Sequence, residues 1–226
     1  MQDSQQTYKK VNSWLVLAND EWNGVDNYTL INRPSHMESW IEFLYKKWPH
    51  KKENSLFLDV GANYGFISRP LSNMFAETHA FEVRPDVFYC LQENTKHINN
   101  IFCHNVAVGS KNDSKAFYEK NNTSAFTKVS YTREANHLSC DMRTIDSYNF
   151  ENVDLIKIDV EGLDLDVIFG AVKTIEKCKP LIITEAPLSR SPLAIKYRHD
   201  FYKMFNYLDY KFVDTARNDL CYEPNL

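Results

Sequence analysis

Long apolar stretches are missing from this sequence. No run among its 226 residues approaches the roughly 20 consecutive apolar residues that a membrane-spanning helix needs. The polar start, MQDSQQTYKK, has no apolar core and therefore does not resemble a secretory signal. We expect a chain that is neither inserted in a membrane nor secreted.

Basic residues are too few for a general nucleic-acid binder. The 26 Lys and Arg residues are outnumbered by 30 Asp and Glu residues, which gives a formal net charge of −4. A protein that binds nucleic acid needs a basic stripe to neutralise a row of phosphates, and the sequence has none. Nucleic acid is therefore not an expected partner.

Cysteines are few and scattered along the chain. The five cysteines are odd in number and contain no CxxC pair. This pattern argues against a disulfide framework and against a zinc site, and it is typical of reduced thiols in a reducing compartment. We therefore expect a cytoplasmic protein.

Glycine is scarce as well, yet two of the six glycines lie four positions apart in LFLDVGANYGF, residues 56–66. The segment begins as a short apolar run, which is typical of a buried strand, and must turn sharply after Asp59. Glycine at such a turn permits unusual backbone angles, or lets another group approach the backbone closely. The loop from Gly61 to Gly65 is therefore a candidate binding loop.

Apolar runs and amphipathic stretches alternate along most of the chain. This alternation predicts an α/β fold, a Rossmann-like doubly wound and mostly parallel sheet with helices on both faces. Short strands are expected within residues 110–150, and a C-terminal antiparallel hairpin from 210–215 and 220–224. The expected strands of the main sheet are 56–60, 78–83, 101–108, 153–160 and 180–187, and the expected helices are 66–75, 86–98, 163–178 and 192–208.

The start of the chain is organised differently. Residues 1–34 are polar and aromatic without a clean period, and Ser35 with Glu38 forms a capping box for a helix over 37–48. We therefore divide the chain into an N-terminal helical lead-in or lid, residues 1–52, and one domain, residues 53–226.

Polar side chains stand where each strand of the predicted sheet ends. In sheets of this kind ligands bind in the crevice at the carboxyl ends of the strands. These side chains are therefore candidate ligand contacts. They are Asp59, Glu82, Asn105, Asp159 with Glu161, and Glu185.

Three kinds of ligand are considered for the loop Gly61-Ala62-Asn63-Tyr64-Gly65: a nucleotide phosphate, a dinucleotide and S-adenosylmethionine. A phosphate-binding P-loop needs a GK[ST] ending that is absent, and a dinucleotide site needs a second glycine where Asn63 stands. S-adenosylmethionine carries no phosphates, and its carboxylate can lie at a helix N-terminus. Glu82, 21 residues after Gly61, fits an acceptor for ribose hydroxyls, although this spacing fits NAD as well. An NAD(P)-dependent oxidoreductase therefore stays open as the less favoured alternative.

Several motifs together resemble one family. The segments LDVGANYGF, FEVRP, NVAVGS, RTIDS, LIKIDVEG with DVIFGA, and PLIITE are similar, in order and rough spacing, to those of the FkbM-type S-adenosylmethionine-dependent methyltransferases. The resemblance covers about residues 55–187. It implies a class I methyltransferase with a seven-stranded sheet, and a hydroxyl oxygen of a sugar or polyketide-like metabolite as methyl acceptor.

The resemblance also assigns expected roles to individual residues. It places Asn105 and Val106 beside the adenine and turns Asp159 and Glu161 toward the transferred methyl. It makes Ser124, which follows the third strand, a substrate contact. The residues expected around the methionine and ribose are Asp59, Gly61, Asn63, Gly65 and Glu82, with Ala62 of the same loop.

Methyl transfer to a hydroxyl needs a group that takes the hydroxyl proton. Asp159 is the first candidate for this base because it ends the fourth strand, and Glu161 and Glu185 are alternatives. The same three carboxylates could bind a divalent metal, which is possible but not favoured. The sequence thus predicts an O-methyltransferase acting on a sugar of a glycan or glycosylated metabolite, with a non-sugar small molecule as the alternative acceptor. Asp164 and Asp166 are interpreted as acids that complement a helix dipole.

Overall fold

The structure is a computed structural model that describes residues 7–20, 36–48, 53–119, 124, 127, 129–132, 137–185, 192–216 and 219–225. Its longer helices are α1 (His36–Lys47), α3 (Pro85–Thr95) and α6 (Pro192–Tyr207), and its shorter ones are α2 (Ser68–Leu71), α4 (Asp164–Phe169) and α5 (Val172–Cys178). Its strands are β1 (Tyr8–Val11), β2 (Trp14–Leu17), β3 (Leu56–Val60), β4 (Glu77–Phe81), β5 (Ile101–His104), β6 (Ala107–Val108), β7 (Asp113–Glu119), β8 (Val129–Ser130), β9 (His137–Arg143), β10 (Val153–Ile158), β11 (Leu181–Glu185), β12 (Tyr210–Ala216) and β13 (Asp219–Pro224).

A seven-stranded sheet forms the centre of the molecule, in the order β12-β13-β11-β10-β3-β4-β5. The five strands from β11 to β5 are parallel, while β12 and β13 form the antiparallel hairpin predicted at the C-terminus. Parallel strands covered on both faces need continuous apolar runs, and the burial of β3 and β10 has this character. The predicted fold class is confirmed.

Apolar side chains of the central sheet pack against helices on both of its faces. On one face Phe57 and Leu155 pack with Trp40 and Leu44 of α1. The opposite face carries the larger core, in which strand residues such as Ile156 contact α4, α5 and α6. Alternate residues along one strand therefore serve different layers, as the two-residue period of a strand requires.

The predicted third strand, 101–108, is wrong in its extent. It is interrupted after His104: β5 joins the central sheet, whereas β6 pairs with β9 in a separate four-stranded sheet of order β6-β9-β7-β8. The side chain of Asn105 marks the interruption, since it donates to the carbonyl oxygens of Glu82 and Val83. The short strands expected within 110–150 are confirmed as β7, β8 and β9.

The single helix predicted over 163–178 is also wrong, because the chain forms α4 and α5 with a break at Gly170 and Ala171. A β-carbon at Gly170 would lie 2.0 Å from the carbonyl oxygen of Gly109, so the chain passes another backbone closely at this point. The Gly170 carbonyl in turn accepts a hydrogen bond from Asp146 N at 2.9 Å instead of continuing a helix. Periodicity alone does not detect such a contact.

The start of the chain contains an element that the sequence analysis left undefined. Strands β1 and β2 form an antiparallel hairpin, and Val16 and Leu17 are buried against the loop that follows β3. The helix predicted over 37–48 is confirmed as α1. Its predicted capping box involves Ser35, which lies outside the described residues. Within the described ranges, no helix is long and apolar enough to cross a membrane.

Candidate functional site

A cavity of about 250 Å³ lies at the carboxyl ends of the parallel strands. It is lined by the loop after β3, the ends of β4 and β10, and parts of the four-stranded sheet. Most of the predicted site residues meet there. Those that line the cavity are Gly61, Ala62, Asn63, Glu82, Val106, Ser124, Asp159, Glu161 and Glu185.

The glycine loop owes its shape to close contacts between backbone segments. Gly61 has φ +81°, and a β-carbon there would lie 1.9 Å from the carbonyl oxygen of Asp159. Gly65 has φ +89°, and its β-carbon would meet Leu91 of α3 at 2.9 Å. Both glycines therefore let the loop fit against neighbouring elements, so the close approach expected of a ligand at these positions is made by the protein itself.

The carboxylate of Glu82 is buried at the end of β4 and holds the loop in place. Asn63 N donates to its Oε2 at 3.0 Å, and Arg84 N donates to its Oε1 at 2.9 Å. Burial raises the pKa of Glu82 to about 7, although these two hydrogen bonds act in the opposite direction. Since a carboxylate oxygen has two lone pairs, each oxygen keeps capacity for a ligand hydroxyl.

Three further carboxylates of the cavity lining lie close to one another. Oxygen atoms of Asp159, Glu161 and Glu185 lie within 4.8 Å of one another. Burial, and then the nearby charge of Asp159, raises the pKa of Glu161 to about 8. The chain positions Glu161 through a left-handed backbone angle, φ +55°, in the sharp turn that leads into α4. These three side chains could accept hydrogen bonds from a hydroxyl or contribute ligands to a divalent cation.

The ammonium of Lys157 is part of the site, and the sequence analysis missed it. Its Nζ lies 3.3 Å from Asp159 Oδ2 and 3.7 Å from Asp59 Oδ1, and it donates to the carbonyl oxygen of Gly61 at 3.2 Å. Burial alone lowers the pKa of a lysine, but the adjacent carboxylates of Asp159 and Asp59 outweigh it, so the pKa of Lys157 is raised. A charged residue inside the apolar run VDLIKIDV, two positions before Asp159, was the available signal.

Three predicted cofactor residues do not line the cavity. Asp59 is fully buried beneath it, where Ser68 Oγ donates to Oδ2 at 2.5 Å, and burial raises its pKa. Gly65 faces α3, and Asn105 ties the end of β5 to the segment after β4. These three residues can shape the site, but they lie behind the residues that line the cavity.

Apolar side chains form the remaining wall of the cavity. Phe81, Val83, Val106, Val108 and Leu163 lie beside the polar residues already described. Thr127 also lines the cavity, and its buried Oγ1 has no hydrogen-bond partner among the described residues. An apolar wall that ends in an unsatisfied hydroxyl suits a flat heterocycle with polar edges.

Asp164 and Asp166 both lie in the first turn of α4, where the sequence places them as helix acids, and Asp164 is also buried. Only 2% of its surface is exposed, and Gly162 N donates to its Oδ2 at 3.2 Å. Burial, and then the charge of Asp159, raises its pKa to about 7. Asp166 accepts hydrogen bonds from Ser110 Oγ and Tyr131 OH at 2.9 and 3.0 Å, and thereby links α4 to the four-stranded sheet.

Comparisons with known proteins show similarity to methyltransferases. Residues 59–212 match the family model of the methyltransferase FkbM domain. A protein named Methyltransferase 1, from the fungus Beauveria bassiana, is 23% identical over 60% of this chain, and the match spans 65% of the fungal protein. The crystal structure of methyltransferase FkbM from Methylobacillus flagellatus superposes with a TM-score of 0.53 at 20% identity, covering 75% of this chain and 43% of that protein.

Proposed function

Since the chain belongs to the FkbM family of S-adenosylmethionine-dependent methyltransferases, we propose that it methylates a hydroxyl group of a sugar in a glycan or a glycosylated metabolite. The family excludes the NAD(P)-dependent oxidoreductase that the spacing of Glu82 alone had left open. The observation that carries the proposal is the convergence of Asp159, Glu161 and Glu185 on the cavity that also contains Glu82.

The residues around the cavity fit S-adenosylmethionine, which supplies a methyl group activated by its sulfonium. Glu82 offers two carboxylate oxygens to the ribose hydroxyls, and the apolar wall with Thr127 offers a surface to the adenine. The backbone of the loop at Gly61 and Asn63 would hold the amino-acid end of the cofactor. Asp59 and Gly65 support this loop from behind.

We place the acceptor at the three converging carboxylates. A sugar presents several hydroxyl donors, and carboxylates accept hydrogen bonds from them in pairs. Asp159 is placed to take the proton of the attacking hydroxyl, while Glu161 and Glu185 orient the neighbouring hydroxyls. Ser124 lies on the same cavity and is assigned to the acceptor as well. Lys157 lies 3.3 Å from Asp159 and reduces the negative charge of the site, and a divalent metal is not favoured.

The compartment we propose is the cytoplasm. All five cysteines lie in the described part of the chain and are free thiols. Cys90 and Cys221 are buried, and burial raises the pKa of each of these thiols to about 12. Such cysteines behave as small apolar side chains, which fits a reducing environment.

A methyl-transfer assay with Asp159→Asn tests the proposed function. Labelled S-adenosylmethionine is incubated with a panel of sugars and with non-sugar alcohols, and transfer to each acceptor is counted. We expect transfer to a sugar that falls at least about 100-fold in the variant, because a positioned base contributes this much. Binding of S-adenosylhomocysteine should be kept, and EDTA should leave wild-type transfer unchanged.

Two outcomes would contradict the proposal. Transfer only to non-sugar alcohols would remove the sugar from it. Near-normal turnover by Asp159→Asn on the accepted sugar would move the base to Glu161 or Glu185. Asp141→Asn is the matched control, since this exposed carboxylate lies on β9 away from the cavity lining.

A further inference from the structure

The carboxylate of Asp20 connects two segments that are distant in sequence. Tyr64 OH donates to Asp20 Oδ2 at 2.5 Å across 44 residues of sequence, and Ser124 N donates to Asp20 Oδ1 at 3.0 Å across 104 residues. Tyr64 belongs to the glycine loop, whereas Ser124 belongs to the segment between β7 and β8. Asp20 itself follows the N-terminal hairpin and precedes the region that matches the family model.

The hydrogen bonds continue from Ser124 into the cavity. Asn63 Nδ2 donates to the carbonyl oxygen of Ser124 at 3.1 Å, and Asn63 N donates to Glu82 Oε2 at 3.0 Å. Ser124, Asn63 and Glu82 all line the cavity, and Asn63 holds a left-handed backbone angle, φ +52°. An uninterrupted series of hydrogen bonds therefore runs from Asp20 to Glu82.

The N-terminal hairpin is attached firmly enough to hold Asp20 in this position. Leu15 N donates to Asn94 Oδ1 at 2.7 Å, and Asn94 Nδ2 donates to the carbonyl oxygens of Leu15 and Tyr64 at 3.0 and 2.9 Å. The side chain of Leu17 is buried against the same loop, and its N–H donates to Tyr64 OH at 3.3 Å. The hairpin, α3 and the glycine loop thus form one packed unit.

We propose that Asp20 is a positioning residue for the cofactor site, with its carboxylate fixing the glycine loop and Ser124 beside each other in the wall of the cavity. The inference rests on the proposed role of Glu82 and the loop in binding the cofactor. The Asp20 carboxylate accepts one hydrogen bond from each of the two segments. Because the acceptor is charged, both hydrogen bonds are stronger than those to a neutral acceptor would be. Without Asp20 the two segments must be ordered when the cofactor binds, and this ordering weakens affinity.

The test is calorimetric titration of the full chain with S-adenosylhomocysteine. The variants are Asp20→Ala, Asp20→Asn, Tyr64→Phe and the double variant Asp20→Ala/Tyr64→Phe, with Asp141→Ala as the exposed control. We expect the Kd to rise about tenfold in Asp20→Ala, because part of the free energy of the two lost hydrogen bonds must then come from cofactor binding. Asp20→Asn keeps an acceptor for Ser124 N and should show a smaller rise.

The double variant separates positioning from general stability. Because the hydrogen bond between Tyr64 and Asp20 is already lost in Asp20→Ala, the double variant loses only the longer hydrogen bond from Leu17 N in addition, and its Kd should stay close to that of Asp20→Ala. The KM for S-adenosylmethionine should rise with the Kd, while kcat at saturating cofactor stays within about twofold of wild type. A positioning role requires these changes together, whereas a purely structural role lowers the melting temperature without changing the Kd.

Three outcomes would overturn the inference, and they can be told apart. If the wild-type chain binds S-adenosylhomocysteine and Asp20→Ala binds it equally well, Asp20 has no positioning role. If Asp20→Ala only lowers the melting temperature, its role is structural. If the wild-type chain binds no S-adenosylhomocysteine, the cofactor site itself is misplaced and the proposed function fails with it. Should Asp20→Ala not fold, Asp20→Asn and Tyr64→Phe decide by the same comparison of Kd.

Discussion

At the scale of single residues, Lys157 explains why an acidic cavity is stable. It lies directly across from Asp59 in the register of β10 and β3, and its ammonium also reaches Asp159. Removing one partner of such a buried group leaves the remaining charge uncompensated, which is more costly than the pair was favourable. Lys157 therefore connects Asp59, which supports the glycine loop, with Asp159, the candidate base.

Two glycines with left-handed backbone angles make a matched pair for testing the loop. Gly61→Ala would place a β-carbon 1.9 Å from the Asp159 carbonyl oxygen, whereas at Gly162, φ +105°, nothing lies within 4 Å. We expect Gly162→Ala to cost about 1–3 kcal/mol through backbone strain alone. Gly61→Ala should lose roughly 2 kcal/mol more through overpacking. Urea unfolding of both variants measures the difference, and equal losses would show that the contact with Asp159 is unimportant.

Glu82 makes the stability of the molecule depend on pH. Burial raises its pKa from the usual 4.5 to about 7, so the unfolded chain releases this proton at a lower pH than the folded chain does. Its contribution to stability is therefore complete below about pH 4.5 and is lost as the pH rises through about 7. We expect the free energy of unfolding of Glu82→Gln to fall less between pH 5 and pH 8 than that of wild type. Parallel pH profiles for the two chains would contradict this assignment.

At the scale of elements, the sequence predicted the strands and helices whose period is undisturbed. Strand β3 was predicted with its observed bounds because an apolar run is followed at once by glycine, and α1 because Trp40 and Leu44 share a face. The break between α4 and α5 depends on the distant Gly109, and the division of β5 from β6 depends on Asn105 and the second sheet. Contacts between distant residues leave no local pattern, and Asp20 could not be predicted for the same reason, whereas the charge of Lys157 inside an apolar run was a local signal.

The pairing of β4 with β5 contains a histidine pair that should respond to acid. His79 Nδ1 and His104 Nε2 lie 3.0 Å apart, so one neutral ring donates to the other. Burial, and then the neighbouring His79, lowers the pKa of His104 to about 4, which is below the usual value of 6.5. Its contribution to stability is present above about pH 6.5 and is lost as the pH falls toward about 4.

The variant His104→Phe tests this pair. It removes the titrating ring and keeps an aromatic side chain beside Phe81 and Tyr148. Between pH 7 and pH 5 wild type should lose on the order of 1 kcal/mol more stability than the variant, after allowance for solvent screening. Urea unfolding at the two pH values provides the comparison, and an equal loss in both chains would exclude the histidine pair as the cause.

At the scale of the whole molecule, three units surround one cavity. The central sheet contributes the glycine loop and the carboxylates, and the four-stranded sheet contributes part of the cavity wall. The N-terminal hairpin and Asp20 bind the glycine loop through Tyr64. The division of the chain at residue 52 into a lead-in or lid and a methyltransferase domain stays a prediction. The contacts of Asp20 with Tyr64 and Ser124 attach the first part to the wall of the cavity.

The most direct test of this account is a crystal structure of the chain with S-adenosylhomocysteine. The account predicts ribose hydroxyls within hydrogen-bond distance of Glu82 and a sulfur atom that faces Asp159, with Glu161 and Glu185 open to the acceptor. A ligand whose ribose lies away from Glu82, or whose sulfur points away from the three carboxylates, would contradict the proposed site. In that case the cavity would still belong to a methyltransferase, but its catalytic residues would have to be assigned anew.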